Sequence, residues 1–132
     1  MAMPRVVVAE DQELMRHAIA KILQGRFTLV GTADNGRLAI ELAQALNPDV
    51  LVLDISMPTL NGIEAASHLK EIGSTVSMVF LTAHDDFDFV EAAFSAGALG
   101  YVLKQFLATD LIPAIWAAIH GQSFVSRAVH AH

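Results

Sequence analysis

Four apolar runs in the sequence each end in a polar side chain that could take part in chemistry. The acidic pair Glu10-Asp11 follows VVVA, and Asp54 follows VLVL. Thr82 follows VFL, and Lys104 follows YVL. A carboxylate can attack phosphorus, while an ammonium group, a hydroxyl and a metal ion can neutralise the charge that develops during the transfer. The residue types therefore indicate phosphoryl chemistry if the fold brings these run ends together.

Strands and helices alternate in the pattern of the sequence. We predict strands over 6–9, 27–33, 50–53, 77–81 and 100–103, and helices over 13–24, 38–46, 63–72, 87–96 and 109–120. Asn61 is the expected N-cap of the third helix. Continuous Val and Leu runs are typical of parallel strands that are buried on both faces. The predicted fold is α/β: a flavodoxin-like, doubly wound, five-stranded parallel sheet of order 2-1-3-4-5, flanked by five helices.

This strand order determines where a site is expected. Open α/β sheets bind ligands beyond the carboxyl ends of their strands, at the point where the strand order reverses. That point lies here between the first and third strands, which end in Glu10-Asp11 and Asp54. The second strand ends in Ala33-Asp34 and is the edge strand farthest from this point.

Three crowded carboxylates would repel one another, and a bound cation would relieve that repulsion. Hard oxygen ligands without His or Cys favour Mg²⁺ over zinc. We expect Asp11 and Asp54 to be direct ligands, Glu10 to act through water, and the backbone carbonyl of Ser56 to complete the shell. Asp54 would be the nucleophile, while Lys104 and Thr82 would contact the phosphoryl oxygens.

Composition excludes several classes of function. The chain has 132 residues, which is the size of one domain. Its net charge of -6 argues against nucleic-acid binding by this chain alone. The absence of cysteine excludes disulfides and thiolate chemistry. Neither a signal peptide nor an apolar run long enough to span a membrane is visible, so a cytoplasmic location is expected.

The motifs VVVAEDQ, VLVLDISMP, VFLTAHDD and GALGYVLK resemble the receiver domain of bacterial two-component response regulators. The resemblance covers roughly residues 4–121. It implies that Asp54 takes a phosphoryl group from a phosphohistidine of a sensor histidine kinase. It also implies that Glu10 and Asp11 hold Mg²⁺ and that Tyr101 is a switch aromatic, which turns inward when Thr82 moves toward the phosphate.

The sequence DLIPAIWAAIHGQSFVS after GYVLK is similar to the NarL/FixJ-type subgroup. Those receivers are usually followed by a helix-turn-helix domain that binds DNA and regulates transcription. We therefore expect a receiver domain over 1–121, and a tail or the start of a linker to an absent output domain over 122–132. The last helix is apolar on more than one side, including Trp116. A broad core contact and a partner surface, for a homodimer or for the output domain, are both open interpretations.

One position departs from the family pattern. The residue after the family's lysine is usually proline, commonly in a cis peptide that positions the lysine. Here that residue is Gln105. A cis Lys104-Gln105 bond would cost about 3 kcal/mol relative to trans. We predict a trans bond and a changed loop after the fifth strand.

Two other functions are weighed against the phosphoacceptor switch. Phosphohydrolases of the haloacid dehalogenase type resemble a D-x-D pattern, but Ser56 stands where their acid-base aspartate would be. We therefore expect a switch that assists its own phosphorylation and dephosphorylation, not an enzyme. A receiver fold that acts without phosphorylation is the third interpretation. His84 is a further hypothesis, as a residue that influences hydrolysis of the acyl phosphate.

Overall fold

Helices and strands alternate along the chain in the computed structural model, which describes residues 3–83 and 87–126. The strands are β1 (Arg5–Ala9), β2 (Thr28–Ala33), β3 (Val50–Asp54), β4 (Ser77–Thr82), β5 (Gly100–Leu103) and β6 (Phe124–Val125). The helices are α1 (Glu13–Leu23), α2 (Gly36–Leu46), α3 (Gly62–Glu71), α4 (Phe87–Ser95) and α5 (Leu107–Ile119). A 3₁₀ turn, Lys104–Phe106, joins β5 to α5.

All neighbouring strands pair in parallel, in the order β2-β1-β3-β4-β5-β6. The predicted flavodoxin-like fold and the order of its first five strands are confirmed. The strand count of five was one too low, because Phe124–Val125 pairs with β5. This strand lies in the segment that was expected to be a tail or linker. Two residues are too few to show a periodic pattern, so the sequence did not indicate it.

The sheet is buried on both faces, as the continuous apolar strands predicted. Val7 and Ala9 belong to one apolar cluster, while Val6 and Val8 belong to the other. Alternate residues of one strand point to opposite faces, so each strand supplies both clusters. The first cluster packs beneath α2, α3 and α4, and the second beneath α1 and α5. In the described part of the chain, no helix has the length and apolar character needed to cross a bilayer.

The start of α3 is fixed by local chemistry that the sequence predicted. Asn61 Oδ1 accepts a hydrogen bond from Glu64 N at 2.9 Å, and Glu64 Oε1 accepts one from Asn61 N at 3.1 Å. This reciprocal capping box satisfies two amides that the helix cannot pair internally. A Cβ at Gly62 would overlap the backbone carbonyl of Asp54. The absence of a side chain there lets α3 begin directly beside the end of β3.

Candidate functional site

The carboxyl ends of β1, β3 and β5 bring two acids and a lysine into contact. Ala9 pairs with Leu53, so Glu10 and Asp54 follow at adjacent strand ends. Lys104 Nζ lies 2.9 Å from Glu10 Oε1 and 3.0 Å from Asp54 Oδ2. Glu10 is 0% exposed and Asp54 is 2% exposed. The predicted convergence of these three residues is therefore present, with the ammonium group shared between two buried carboxylates.

The predicted acidic cluster also assembles. One carboxylate oxygen from each of Glu10, Asp11 and Asp54 can be chosen so that all three lie within 4.8 Å of one another. Glu10 and Asp54 are buried, while Asp11 is exposed and forms the open side of the cluster. Three oxygen ligands with no nitrogen or sulfur among them form a donor set suited to a hard divalent cation.

One oxygen of Glu10 shows how this cluster would accommodate a cation. Glu10 Oε2 accepts a hydrogen bond from Gln12 N at 3.3 Å. The buried Oε1 has no hydrogen-bond partner among the described residues, although it lies within ion-pair distance of Lys104. The 2.9 Å contact is an ion pair without hydrogen-bond geometry. This buried oxygen has an ion pair but can still accept a hydrogen bond, which a water bound to a metal ion would donate. The residues present therefore fit Mg²⁺.

Crowding and burial change the protonation of these groups. Burial raises the pKa of Glu10, and neighbouring Asp54 raises it further, while Lys104 acts in the opposite direction. Asp11 is exposed, but partial desolvation and the adjacent Glu10 raise its pKa as well. For Lys104, burial alone would lower the pKa, but contacts with Glu10 and Asp54 outweigh burial and raise it. Lys104 is therefore protonated at neutral pH and lies beside Glu10, whose ionisation is opposed by burial and by Asp54.

Thr82 and Tyr101 belong to β4 and β5, the two strands that follow β3 in the sheet. Thr82 is the last residue of β4 and is buried. A cavity of about 100 Å³ is lined by Thr82, Lys104 and their chain neighbours Ala83, Leu103 and Gln105. Tyr101 pairs with Phe80 of β4 and is 0% exposed, so its ring lies in the core in this structure.

The backbone after β3 supports the Asp54 side chain. Ser56 N donates a hydrogen bond to Asp54 Oδ1 at 3.2 Å. Ile55 N donates to Leu81 O, and Gly62 N donates to Ile55 O, each at 3.0 Å. These bonds tie the loop to β4 on one side and to the start of α3 on the other. The proposed use of the Ser56 carbonyl as a metal ligand stays a prediction.

The chain after Lys104 follows the prediction made from Gln105. The Lys104–Gln105 peptide bond is trans. Lys104–Phe106 forms a 3₁₀ turn that runs directly into α5, while the predicted change of this loop relative to other receivers stays a prediction. Helix α5 consequently begins at Leu107, two residues before the predicted start at 109.

Sequence reasoning missed two contributors to this region. Arg16 Nη1 donates a hydrogen bond to the backbone carbonyl of Glu10 at 2.8 Å, which ties the acidic loop to α1. The Ser126 hydroxyl, beyond β6, accepts a hydrogen bond from Leu103 N at 3.1 Å. No periodic or motif signal marks either residue. The hypothesis about His84 cannot be compared with the geometry, because His84 lies outside the described residues.

The broad apolar surface of α5 is mostly accounted for by the core. Leu111, Ala114, Ile115 and Ala118 are buried, whereas Trp116 is 41% exposed. The Trp116 ring lies 5.3 Å from that of Phe27 and 6.3 Å from that of His120. Core packing therefore explains one stripe of the helix, and Trp116 stays available as a partner surface.

The chain matches the family model of the response regulator receiver domain over residues 6–116. It is 43% identical to the transcriptional regulatory protein PdtaR of Mycobacterium tuberculosis over 116 residues, which are 87% of this chain and 56% of the relative. It is 34% identical to the transcriptional regulatory protein DegU of Brevibacillus brevis over 123 residues, which are 92% of this chain and 52% of the relative. The chain thus spans about half the length of these relatives.

Solved structures of response regulators also resemble this chain. The signal receiver domain of the putative response regulator NarL from Mycobacterium tuberculosis superposes with a TM-score of 0.88 at 32% identity, covering 92% of this chain and all of that domain. A LuxR-family two-component response regulator from Aurantimonas superposes with a TM-score of 0.91 at 27% identity, covering 97% and 93%. Since the family model covers most of the chain, this chain belongs to the receiver-domain family of response regulators, in the NarL/LuxR-like group.

Proposed function

We propose that Asp54 accepts the phosphoryl group and that the other strand-end residues assist the transfer. The observation that carries this assignment is the placement of Lys104 Nζ 3.0 Å from Asp54 Oδ2 inside a largely buried acidic site. The ammonium group fixes the position of the Asp54 carboxylate, and a carboxylate can act as a nucleophile. Asp11, the exposed member of the acidic cluster, is assigned to the metal.

The transfer would proceed by attack of an Asp54 carboxylate oxygen on the phosphorus of a phosphohistidine in a sensor kinase. The new bond joins the carboxylate oxygen to phosphorus, and the bond from phosphorus to the histidine nitrogen breaks. The bonding electrons stay with that nitrogen, which takes up a proton. Lys104 would then pair with a phosphoryl oxygen, because the carboxylate that it contacts has become an uncharged ester-like carbonyl group.

Magnesium would be held by Asp11 and Asp54 directly, by Glu10 through water, and by the carbonyl of Ser56. When bound, it would neutralise charge on the transferring phosphoryl group and on the crowded carboxylates. Side chains of the protein itself perform the other steps of the transfer. Asp54 attacks, Lys104 stabilises the developing negative charge, and the Thr82 hydroxyl donates a hydrogen bond at the side of the small cavity.

The signal would pass from Thr82 to Tyr101. Phosphorylation would draw Thr82 toward the phosphoryl group, and this movement would favour the buried placement of Tyr101 over an outward one. The phosphoryl group would shift the population of two existing states, as a ligand does. The chain would accelerate its own phosphorylation and hydrolysis without releasing a product derived from an external substrate pool.

The partners follow from the group to which the chain belongs. A sensor histidine kinase would supply the phosphoryl group. The match covers about half of each transcriptional regulatory relative, and a similar solved structure is that of a DNA-binding response regulator, so a DNA-binding output domain would follow the linker. A homodimer through α5 is the proposed phosphorylation-dependent state. Bacterial transcription takes place in the cytoplasm, and the proposal places the chain there.

Mass spectrometry of the intact protein tests the acceptor assignment. With Mg²⁺ and acetyl phosphate, the wild type should gain one phosphoryl group, and Asp54→Asn should gain none. Asp34→Asn is the matched control, since Asp34 is an exposed acid at the end of β2 and should leave the gain unchanged. No gain by folded wild type would favour a module that acts without phosphorylation. Continuous phosphate release from a phosphate monoester would instead indicate a hydrolase.

A further inference from the structure

The segment after α5 returns to the sheet beside the strand that leads to Lys104. Phe124 N donates a hydrogen bond to Leu99 O at 2.9 Å, and Ser126 N donates one to Tyr101 O at 3.0 Å. Tyr101 lies opposite Val125 in this parallel pairing. The chain that leaves the last helix is therefore bonded to the backbone of the proposed switch residue.

The Ser126 hydroxyl connects three separate segments. Ser126 is 1% exposed. Its Oγ accepts a hydrogen bond from Leu103 N at 3.1 Å and donates one to Asp110 Oδ2 at 2.7 Å. The short distance is typical of a hydroxyl that donates to a charged carboxylate. Asp110 Oδ1 in turn accepts from Thr109 Oγ1 at 3.1 Å. We refer to Leu103 N–H, the Ser126 hydroxyl and the Asp110 carboxylate as the serine clasp.

The clasp completes the edge of the sheet where β6 ends. In a parallel pair, alternate residues of a strand bond to the same neighbouring strand. Tyr101 and Leu103 therefore both direct their backbone groups toward β6. Because β6 ends at Val125, the side chain of Ser126 supplies the acceptor that Leu103 N–H needs. Without that hydroxyl, a buried amide at the end of β5 would lose its partner.

The serine clasp bonds to the backbone just before Lys104 and to a side chain just after it. Leu103 directly precedes Lys104, and the 3₁₀ turn Lys104–Phe106 leads into α5. Asp110 lies in the first turn of that helix. The serine clasp thus joins the chain before Lys104 to the chain after it. The exposed Gln105, linked to Lys104 by a trans peptide bond, makes no comparable contact among the hydrogen bonds of the described residues.

We propose that Ser126 and Asp110 are positioning residues for the phosphorylation of Asp54, because they hold the backbone that aims Lys104 at Asp54 and Glu10. This inference rests on the proposed roles of Asp54 and Lys104. Displacing the lysine base would move its ammonium group away from the attacking carboxylate, and small displacements of a charged group are costly in phosphoryl transfer. The segment after α5 then supports the phosphorylation site from outside it.

Ser126→Ala tests the role of the hydroxyl. The initial rate of phosphorylation by acetyl phosphate, at fixed Mg²⁺, should fall about tenfold, as for removal of other groups that orient a functional side chain. Exchange of the Leu103 amide, followed by NMR, should become faster than that of its neighbours in β5. Ser126→Thr keeps a hydroxyl and should recover most of the rate. Ser123→Ala, an exposed serine in the same segment, should behave as wild type.

A background that lacks Lys104 separates positioning from general stability. In Lys104→Ala, which reacts slowly, adding Ser126→Ala should cause no further loss of rate. Asp110→Ala leaves Ser126 in place and provides a second variant if Ser126→Ala fails to fold. It should also slow phosphorylation, and the double variant of Asp110 and Ser126 should be no slower than Ser126→Ala alone.

The outcomes distinguish this inference from the proposed function. If wild type gains no phosphoryl group, the proposed function fails, and the inference fails with it. If wild type reacts but folded Ser126→Ala or Asp110→Ala reacts equally fast, the clasp does not position Lys104 and the inference alone is overturned. An equal further loss of rate in the Lys104→Ala background would also overturn it.

Discussion

Lys104 Nζ lies 3.0 Å from Asp54 Oδ2, although the strands that precede these residues are not neighbours. Strand β4 separates them, so the lysine side chain reaches past the end of an intervening strand. Adjacent strands are about 4.8 Å apart, so the lysine and aspartate side chains together bridge the two intervals between β3 and β5. The same ammonium group lies 2.9 Å from Glu10 Oε1. This sharing makes the cation a structural as well as a chemical part of the site.

Replacement of Lys104 by methionine should destabilise the fold. The variant keeps a long side chain but leaves Glu10 and Asp54 buried without their cation. Loss of one partner from a buried ion pair costs about 3 kcal/mol. Urea unfolding at neutral pH measures the change, with Lys21→Met, an exposed lysine of α1, as the control. An unchanged free energy of unfolding would contradict the view that Lys104 stabilises these acids.

The stability of the metal-free protein should fall as pH rises through the acidic range. Burial raises the pKa of Glu10 above its ordinary value of 4.5 and the pKa of Asp11 above its ordinary value of 3.8. A carboxyl with a raised folded pKa contributes stability below its unfolded pKa and loses that contribution as pH rises through the folded pKa. The raised pKa of Lys104 affects stability only at alkaline pH, above the ordinary lysine pKa of 10.5.

Glu10→Gln isolates one of these acids. The amide has nearly the same shape but cannot ionise, so it should stabilise the metal-free protein at pH 7 relative to wild type. At a pH below 4.5 the difference should shrink, because Glu10 is then protonated in both states. Urea unfolding in the presence of a chelator, repeated across this range, is the measurement. A variant less stable than wild type at pH 7 would contradict the prediction.

Magnesium should stabilise the wild type by binding only the folded state. At a free concentration 100 times the Kd, the expected gain is about 2.7 kcal/mol. Asp11→Asn removes the exposed carboxylate of the cluster and should abolish most of this gain while leaving the buried core intact. Urea unfolding with and without Mg²⁺ measures both proteins. Asp34→Asn should keep the full gain, and an equal gain in Asp11→Asn would remove Asp11 from the metal site.

Trp116→Glu should prevent association if α5 is the dimer surface. Trp116 is exposed, and its ring packs on the buried Phe27 just before β2. A charge there would have to be desolvated on association. Sedimentation velocity over a range of concentrations, with and without acetyl phosphate, should show weaker association than wild type. Ile72→Glu, at an exposed apolar position after α3, is the control and should associate normally.

An unaltered concentration dependence in folded Trp116→Glu would exclude this patch as the dimer surface. The aromatic contact with Phe27 also supports the fold, so the free energy of unfolding should be measured for the same variant. A loss of association in Ile72→Glu as well would indicate a general effect of added charge.

The strands and the edge at which the site lies could be predicted from the sequence, because both are local properties. The runs before Glu10, Asp54 and Thr82 are continuous and apolar, which only a sheet buried on both faces accommodates well. Parallel connection then places every strand end at one edge. The cap at Asn61 was equally readable, since the bonds that form it span three residues.

Only the tertiary structure decided which residues Lys104 contacts and which segments support the backbone around it. Two residues at Phe124–Val125 carry no periodic signal, and they form a strand only because β5 offers an unpaired edge. This pairing also brings the Ser126 hydroxyl within hydrogen-bond distance of Leu103 N and the Asp110 carboxylate. Lys104 was assigned to the phosphoryl group alone, yet it also contacts Glu10. Such contacts depend on distances between segments far apart in the chain, and local residue patterns do not record those distances.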